Sequence, residues 1–308
     1  MKFTPKPTSH INDMTIKTGK LAPRNPAISI VIMSVNSSSM VSRAIESVIT
    51  HHEYAEIIVV NTGEGTLTHI ISKFLEKIIL IETSYRQYAG GTRNIGIKHA
   101  KGPVVAFLAS DCVASENWVS LKLKRHSEGH KMVATAIEPL SNKGGKAGVL
   151  ERCAYLYIHR ERIPEISIKY SSPYGLSYNR DLFTIFGLFN ESLQTNEDFE
   201  LNRNIMKFNQ PLWDKEIIYY HEYPRELRDL ISDFMARGRR QAFYSQTQEK
   251  RSLAYIVARS IKRNFDTLVI LMKNKEVIRK RGFSAIFLGY FFSFFQCVGH
   301  FASKKKVY

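Results

Sequence analysis

Along the first half of the chain, short apolar runs rich in β-branched residues alternate with stretches whose apolar positions recur at helical spacing. Runs at 28–33, 56–60, 78–81, 104–108 and 132–138 predict buried strands. Between them, helices are predicted over 40–50, 67–75 and 118–126, and a short one follows the glycine turn at Gly90-Gly91. The first of these follows Ser37-Ser38-Ser39 and places Val41, Ala44, Ile45 and Val48 on one face. Strands alternating with helices predict a parallel sheet with helices on both faces and a ligand crevice at the strand C-termini. Beyond residue 138 the pattern loosens into a Gly/Lys loop at 141–148 and an irregular section running to Tyr174, where acceptor specificity is expected. Regularity returns at Asn196-Glu197-Asp198, where a helix begins.

The last third differs in kind. Leu253, Ile256, Val257, Ile261, Phe265, Leu268, Val269 and Met272 follow helical spacing, with Arg259, Lys262, Arg263 and Lys273 largely on other faces. Such a pattern is a basic amphipathic helix. Phe283–Phe301 follows, nineteen Phe-rich residues without a charge, closed by Lys304-Lys305-Lys306. That length barely spans a bilayer, and basic clusters at both ends remove the asymmetry that orients a span. The expectation is a segment lying in the membrane interface. The N-terminal residues show no apolar leader run and predict a polar, mobile arm. Three spans result: an arm at 1–27, an α/β domain at 28–222 and a basic, Phe-rich helical extension at 223–308.

Charge narrows the class of partner. The net charge is +16, yet from residue 237 onward sixteen Lys and Arg stand against three acids. The basic character therefore belongs to the extension and implies an anionic membrane surface for that part. A basic nucleic-acid-binding protein is the alternative from another class; no recognition motif supports it, and nucleic acid is not expected as a partner. Three cysteines without paired spacing, Cys112, Cys153 and Cys297, point to a reducing compartment.

The residues that can carry chemistry sit at predicted strand and helix ends. The strand at 104–108 leads to a lone carboxylate, Asp111, which could serve a ligand or merely cap a turn. Asp198 opens a helix beside Glu197, a position the helix dipole also favours. With ISIVIMSVN, EIIVVNTGEG, GGTRNIGIKHAKGPVVAFLASDC, YGLSYNRDLFTIFGLFNESL and NEDFEL in order, residues 28–222 resemble a family 2 glycosyltransferase of the GT-A type. That resemblance implies a Rossmann-like α/β fold with a mostly parallel central sheet flanked by helices, carrying here an amphipathic helical C-terminal extension. It also implies an inverting enzyme using a nucleotide-diphosphate sugar with Mg²⁺ or Mn²⁺. The acceptor would be lipid-linked or a cell-surface polysaccharide precursor, at the cytoplasmic side of the cell membrane.

The same resemblance assigns roles residue by residue. Asp198 matches the general base, and Asp111 the last acid of the D-x-D motif, which reaches the metal. His221 matches a histidine used near the metal or diphosphate. Asn36 and Asn61 end the first two strands where base and ribose lie, and Arg93 falls at the nucleotide. Arg239 and Arg240, with Arg237, resemble a basic cluster that faces phosphate. Three positions depart from the family pattern: Met33-Ser34-Val35-Asn36 replaces its first-strand tetrapeptide, Asn61 replaces an acid, and Ala109 replaces the first acid of D-x-D. These losses keep a second reading open, a nucleotide-sugar-binding relative with impaired catalysis.

Overall fold

Strands that are apolar on both sides form the middle of the sheet, because helices cover both of its faces. The structure, a computed structural model, describes residues 13–166 and 176–302, in two units: 13–136 with 176–219, and 137–166 with 220–302. Tyr174, Gly175 and Lys304-Lys305-Lys306, and with them the end of the irregular section and the closing basic cluster, lie outside the described residues.

The first unit is built on a sheet of nine strands: β1 (Thr15–Thr18), β2 (Ile28–Val35), β3 (Ala55–Thr62), β4 (Ile79–Thr83), β5 (Val104–Ala109), β6 (Cys112–Ala114), β7 (Met132–Pro139), β8 (Ser177–Asn179) and β9 (Leu212–His221). Their order is β1-β4-β3-β2-β5-β8-β7-β9-β6. β4, β3, β2 and β5 pair in parallel, in register Ile30 with Ile57 and Ile30 with Ala106. β1 joins β4 antiparallel, and β8 pairs antiparallel with both β5 and β7. The sheet is therefore mixed, with a parallel centre and antiparallel flanks. Period-two alternation sends Ile28, Ile30, Ile32, Ile57 and Val59 to one core and Val31, Ile58 and Val60 to the other. The first core is closed by α1 (Val41–Glu46) and α3 (Trp118–Ser127). The second is closed by α2 (Ala89–His99), α5 (Asp181–Phe186) and α6 (Glu197–Ile205). Gly96 lets α2 lie directly on β2, since a Cβ there would stand 2.3 Å from a Val31 methyl.

Several expectations are corrected. Part of the supposed arm is the edge strand β1, held because Thr15 to Thr18 pair with Glu82 to Ile79. The helix expected over 40–50 stops at Glu46, where the Ser47 hydroxyl donates to the Ala44 carbonyl, and a 3₁₀ turn follows at Ile49–His51. The helix expected over 67–75 is replaced by a 3₁₀ segment at Ser72–Lys77, because Thr66, Thr68, Ile70 and Ile71 disfavour helix there. The cut between sheet and extension also differs from a single break at residue 222, since residues 137–166 belong with the C-terminal helices.

The second unit is helical: α4 (Val149–Ile158), α7 (Leu227–Thr247), α8 (Leu253–Lys273), α9 (Lys275–Arg281) and α10 (Phe283–Phe301). α10 packs against α4, α7 and α8, and 44% of its apolar window is buried, so it serves as the unit's central helix. α7 and α10 meet backbone to backbone: a Cβ at Gly238 would come 2.0 Å from the Gln296 carbonyl oxygen. Arg281 at the end of α9 is paired with Glu138 and, at 2.6 Å, with Glu165, and it stacks over Tyr155. α8 turns inward Ile256, Ser260, Asn264, Thr267 and Leu271, and the Asn264 amide donates to the Ser293 carbonyl at 3.2 Å. The apolar stripe that identified α8 in sequence thus flanks the buried face: Ile256 is buried, Leu253, Val257, Leu268, Val269 and Met272 are half-buried, and Ile261 and Phe265 are exposed.

Because Gly96 has no room for a side chain, Gly96→Val should destabilise the protein by about 1–3 kcal/mol, read as a lower urea midpoint with unchanged slope.

Candidate functional site

The C-terminal ends of β2 and β3 carry two loops stitched together by amides. Asn36 and Ser37 adopt left-handed backbone at φ 52° and 54°. The Asn36 carbonyl oxygen accepts the Glu64 N–H at 3.2 Å, and that of Asn61 accepts the Ser37 N–H at 3.1 Å. The Asn61 amide nitrogen donates to Ser37 Oγ at 3.2 Å and to the Gly65 carbonyl at 3.4 Å. Asn36 is exposed, whereas Asn61 is fully buried and holds the loops in shape. An aspartate at position 61 could not make those two donations.

Asp111 lies in the tight turn between β5 and β6, half-buried, and the Ser110 N–H donates to the Met33 carbonyl to hold that turn beside β2. The Cys112 thiol donates to Asp111 Oδ1 at 3.4 Å. A hard carboxylate oxygen at the end of a parallel strand suits a divalent cation. The methyl of Ala109, two residues earlier, offers no donor.

Asp198 occupies the first turn of α6, after Asn196 in a left-handed conformation at φ 65°. Its Oδ1 accepts the Phe199 N–H at 2.9 Å. Burial first, then the neighbouring Glu197, pushes its carboxyl up to about 7, while Arg93 works in the opposite direction. Arg93 comes from α2: its guanidinium is paired with Glu197, stands 4.0 Å from Asp198, and lies over the rings of Phe189 and Phe107 at 5.2 and 5.7 Å. Arg93, expected at the nucleotide, lies beneath the two carboxylates. Tyr178 on β8 shares this environment and donates its hydroxyl to Asn202 at 2.9 Å.

Sequence reasoning missed two residues here. Asn94 bonds the backbone of Phe189 in both directions, at 2.8 and 3.0 Å, and reaches Glu191 at 2.9 Å. Glu197, 5% exposed, is the partner of Arg93. The signal was available in the Arg93-Asn94 and Glu197-Asp198 pairs, but nothing in the spacing says that the two pairs meet.

His221 and the arginine cluster belong to the helical unit. The His221 ring lies 5.2 Å from that of His159 and 4.5 Å from that of Tyr223, and His159 Nδ1 is 2.5 Å from the Tyr223 hydroxyl. Burial, then His221, then Arg237, holds His159 well below the usual imidazole range, so it is neutral. Arg239 and Arg240 are half-buried on α7 beside Arg237, which pairs with Asp233 at 2.9 Å. Burial and these like charges lower Arg240.

Residues 29–186 match the model of glycosyl transferase family 2, just over half of the chain, and the protein belongs to that family. An uncharacterized glycosyltransferase of Rickettsia bellii is 33% identical over 110 residues, 35% of this chain and 16% of that protein. The Escherichia coli UDP-Glc:alpha-D-GlcNAc-diphosphoundecaprenol beta-1,3-glucosyltransferase WfaP is 33% identical over 99 residues, 31% of this chain and 38% of that enzyme. The matched segments thus span well under half of these relatives. The structure resembles the mannosyltransferase PcManGT of Pyrobaculum calidifontis, solved with GDP-Man and Mn²⁺, with a TM-score of 0.59 at 11% identity over 91% of this chain and 88% of that one. That likeness establishes the GT-A fold.

Arg93 favours the charged form of Asp198, so Arg93→Met should move the Asp198 carboxyl further above about 7, measured by carboxyl carbon NMR titration. Asn94→Ala, which strips the Phe189 backbone of its partner, should cost about 1–3 kcal/mol in chemical unfolding.

Proposed function

We propose that the protein is an inverting glycosyltransferase that moves a sugar from a nucleotide-diphosphate donor to the hydroxyl of a lipid-linked or cell-surface saccharide acceptor. The reading rests on one observation: a carboxyl at the start of α6, in the family's base position, whose burial and neighbours put it near neutral pH. A base so placed is half ionised near pH 7 and accepts a proton readily.

In a single displacement the acceptor oxygen attacks the anomeric carbon and its proton passes to Asp198 Oδ. The nucleotide diphosphate leaves with the glycosidic electron pair. Asp111 would hold a divalent cation, Mg²⁺ or Mn²⁺, whose positive charge would be supplied to the departing diphosphate, and the family resemblance alone supports a metal or diphosphate role for His221. Asn36 lines the nucleotide crevice and Asn61 shapes it, and the family resemblance alone supports a phosphate role for Arg239 and Arg240. Arg93 keeps Glu197 paired, and the proton exchanged in the working pH range is that of Asp198.

The acceptor class is supported by the WfaP relative, whose name specifies a diphosphoundecaprenol-linked substrate, and by the basic, Phe-rich helices. Placement at the cytoplasmic face of the membrane is part of the same proposal and has the same two features as support. A second reading, donor binding without turnover, is favoured by Ala109 and by the engagement of the Asn61 amide within its own loops.

Donor hydrolysis and transfer across a panel of nucleotide sugars separate the two readings. Turnover that EDTA abolishes, with an acidic limb near pH 7, is expected. Asp198→Asn should lower turnover on the order of 10²–10⁴-fold while donor affinity is retained. Full activity in Asp198→Asn would overturn the base assignment, and donor binding without turnover would leave the second reading.

A further inference from the structure

Two helices of the helical unit carry bulky apolar residues on their outer faces. The faces that α8 and α10 turn toward other helices are made largely of small or polar residues: Ser260, Asn264 and Thr267 from α8, and Ala285, Gly289, Ser293, Cys297, Gly299 and His300 from α10. His300 Nδ1 is satisfied by the Gly238 carbonyl at 2.8 Å, and Gly299 sits where a Cβ would stand 2.2 Å from the Met235 carbonyl oxygen. Ile256, Leu271 and Ile286 are buried with them, but many of the large apolar side chains face the other way. Phe287, Phe291 and Phe301 are 55%, 62% and 60% exposed on α10, and Phe265 is 54% exposed on α8.

These side chains form stripes, since 283, 287, 291, 298 and 301 fall within a quarter-turn of one another on α10. The corresponding α8 positions are Ala254, Ala258, Ile261 and Phe265, of which only the last two are bulky. The two stripes are continuous, because Leu253, Val257 and Ile261 line an open groove together with Phe301. Beside the α8 stripe, on the next sector of the helix, stand Arg259, Lys262 and Lys273, all exposed; Lys262 pairs with Asp266 at 2.9 Å and Arg259 with Glu249 at 3.6 Å, and the sector stays basic on balance.

Small residues between helices and large apolar ones outside are what a hydrocarbon environment selects, and water does not. A basic fringe along such a face matches anionic headgroups. A second copy docked face to face would instead set the two basic fringes against each other.

We propose that the outward faces of α8 and α10 form one surface that enters the acyl region of an anionic bilayer, with Arg259, Lys262 and Lys273 at the headgroups. The surface deepens the proposed function by naming the bilayer as partner, and it rests on that reading only for the acceptor that the bilayer would hold. α10 neither spans the bilayer nor lies free upon it: its inner half is the core of the unit and its outer half the contact.

The full chain is tested by sedimentation with vesicles of phosphatidylcholine alone and of phosphatidylcholine mixed with phosphatidylglycerol. Binding is expected to the mixed vesicles. Combined Phe265→Ser, Phe287→Ser and Phe291→Ser should lower it on the order of tenfold or more. Their thermal unfolding should be unchanged, because all three side chains are exposed. The emission of a Phe291→Trp variant should shift to the blue on binding and be quenched by lipids brominated in the acyl chain, beyond any response of wild type with Trp118 and Trp213. Three results would overturn the proposal: wild-type binding by the serine variant, indole emission from the Phe291→Trp variant that stays characteristic of water, or a lipid-free dimer that the serine variant dissolves. Donor hydrolysis on the same samples separates the two readings. Hydrolysis without vesicle binding overturns the surface alone, and vesicle binding without hydrolysis counts against glycosyl transfer alone.

Discussion

The ion pair between Arg93 and Glu197 joins the two parts of the sheet unit on which its chemistry depends. One partner comes from the helix after the glycine-rich turn, the other from the helix that carries Asp198, and more than a hundred residues separate them. An arginine buried over Phe107 and Phe189 would be costly unless opposed by carboxylate, and two adjacent buried carboxylates would be costly without a cation. Each demand is met by the other. The remaining surplus of negative charge, together with burial, falls on Asp198 and sets its proton affinity. Asn94 completes the junction by fixing the backbone at Phe189, so the surroundings of Arg93 are held by hydrogen bonds as well as by charge.

The rest of the crevice follows similar economy. The loops after β2 and β3 hold each other through Asn36 and Asn61, and the left-handed backbone at Asn36 and Ser37 is tolerated because those amide bonds over-determine it. Replacing the family's acid with Asn61 is therefore compatible with an intact crevice: an amide can donate twice to its own loop where a carboxylate cannot. Ala109 has no such compensation, which leaves Asp111 as the acid at the end of β5. The helical unit obeys another constraint. Its helices approach through glycines, serines and buried amides, which frees the bulky residues for an outer face.

The parallel strands were legible because a strand covered on both faces needs apolar residues at every position, and few other local structures do. β1, β8 and β9 were not, since Thr15–Thr18 is polar and edge-bound, Ser177–Asn179 is three residues long, and Leu212–His221 mixes charges into its run. The 3₁₀ segment at Ser72–Lys77 had the spacing of a helix, but its β-branched neighbours and lack of a cap stopped one from forming.

By itself the sequence determined the alternating α/β plan, the positions of Asp111 and Asp198 at the ends of their elements, and the concentration of positive charge in the last third. Local periodicity and end signals suffice for these, since each depends on neighbours within a few residues. Only the tertiary structure decided that Arg93 lies beneath the carboxylates, that Asn61 is spent on its own loops, and that Ile261 and Phe265 of the α8 stripe are left exposed. A helical period shows that a helix has two faces. Which face is covered depends on what packs against it, and that is decided by residues far away along the chain.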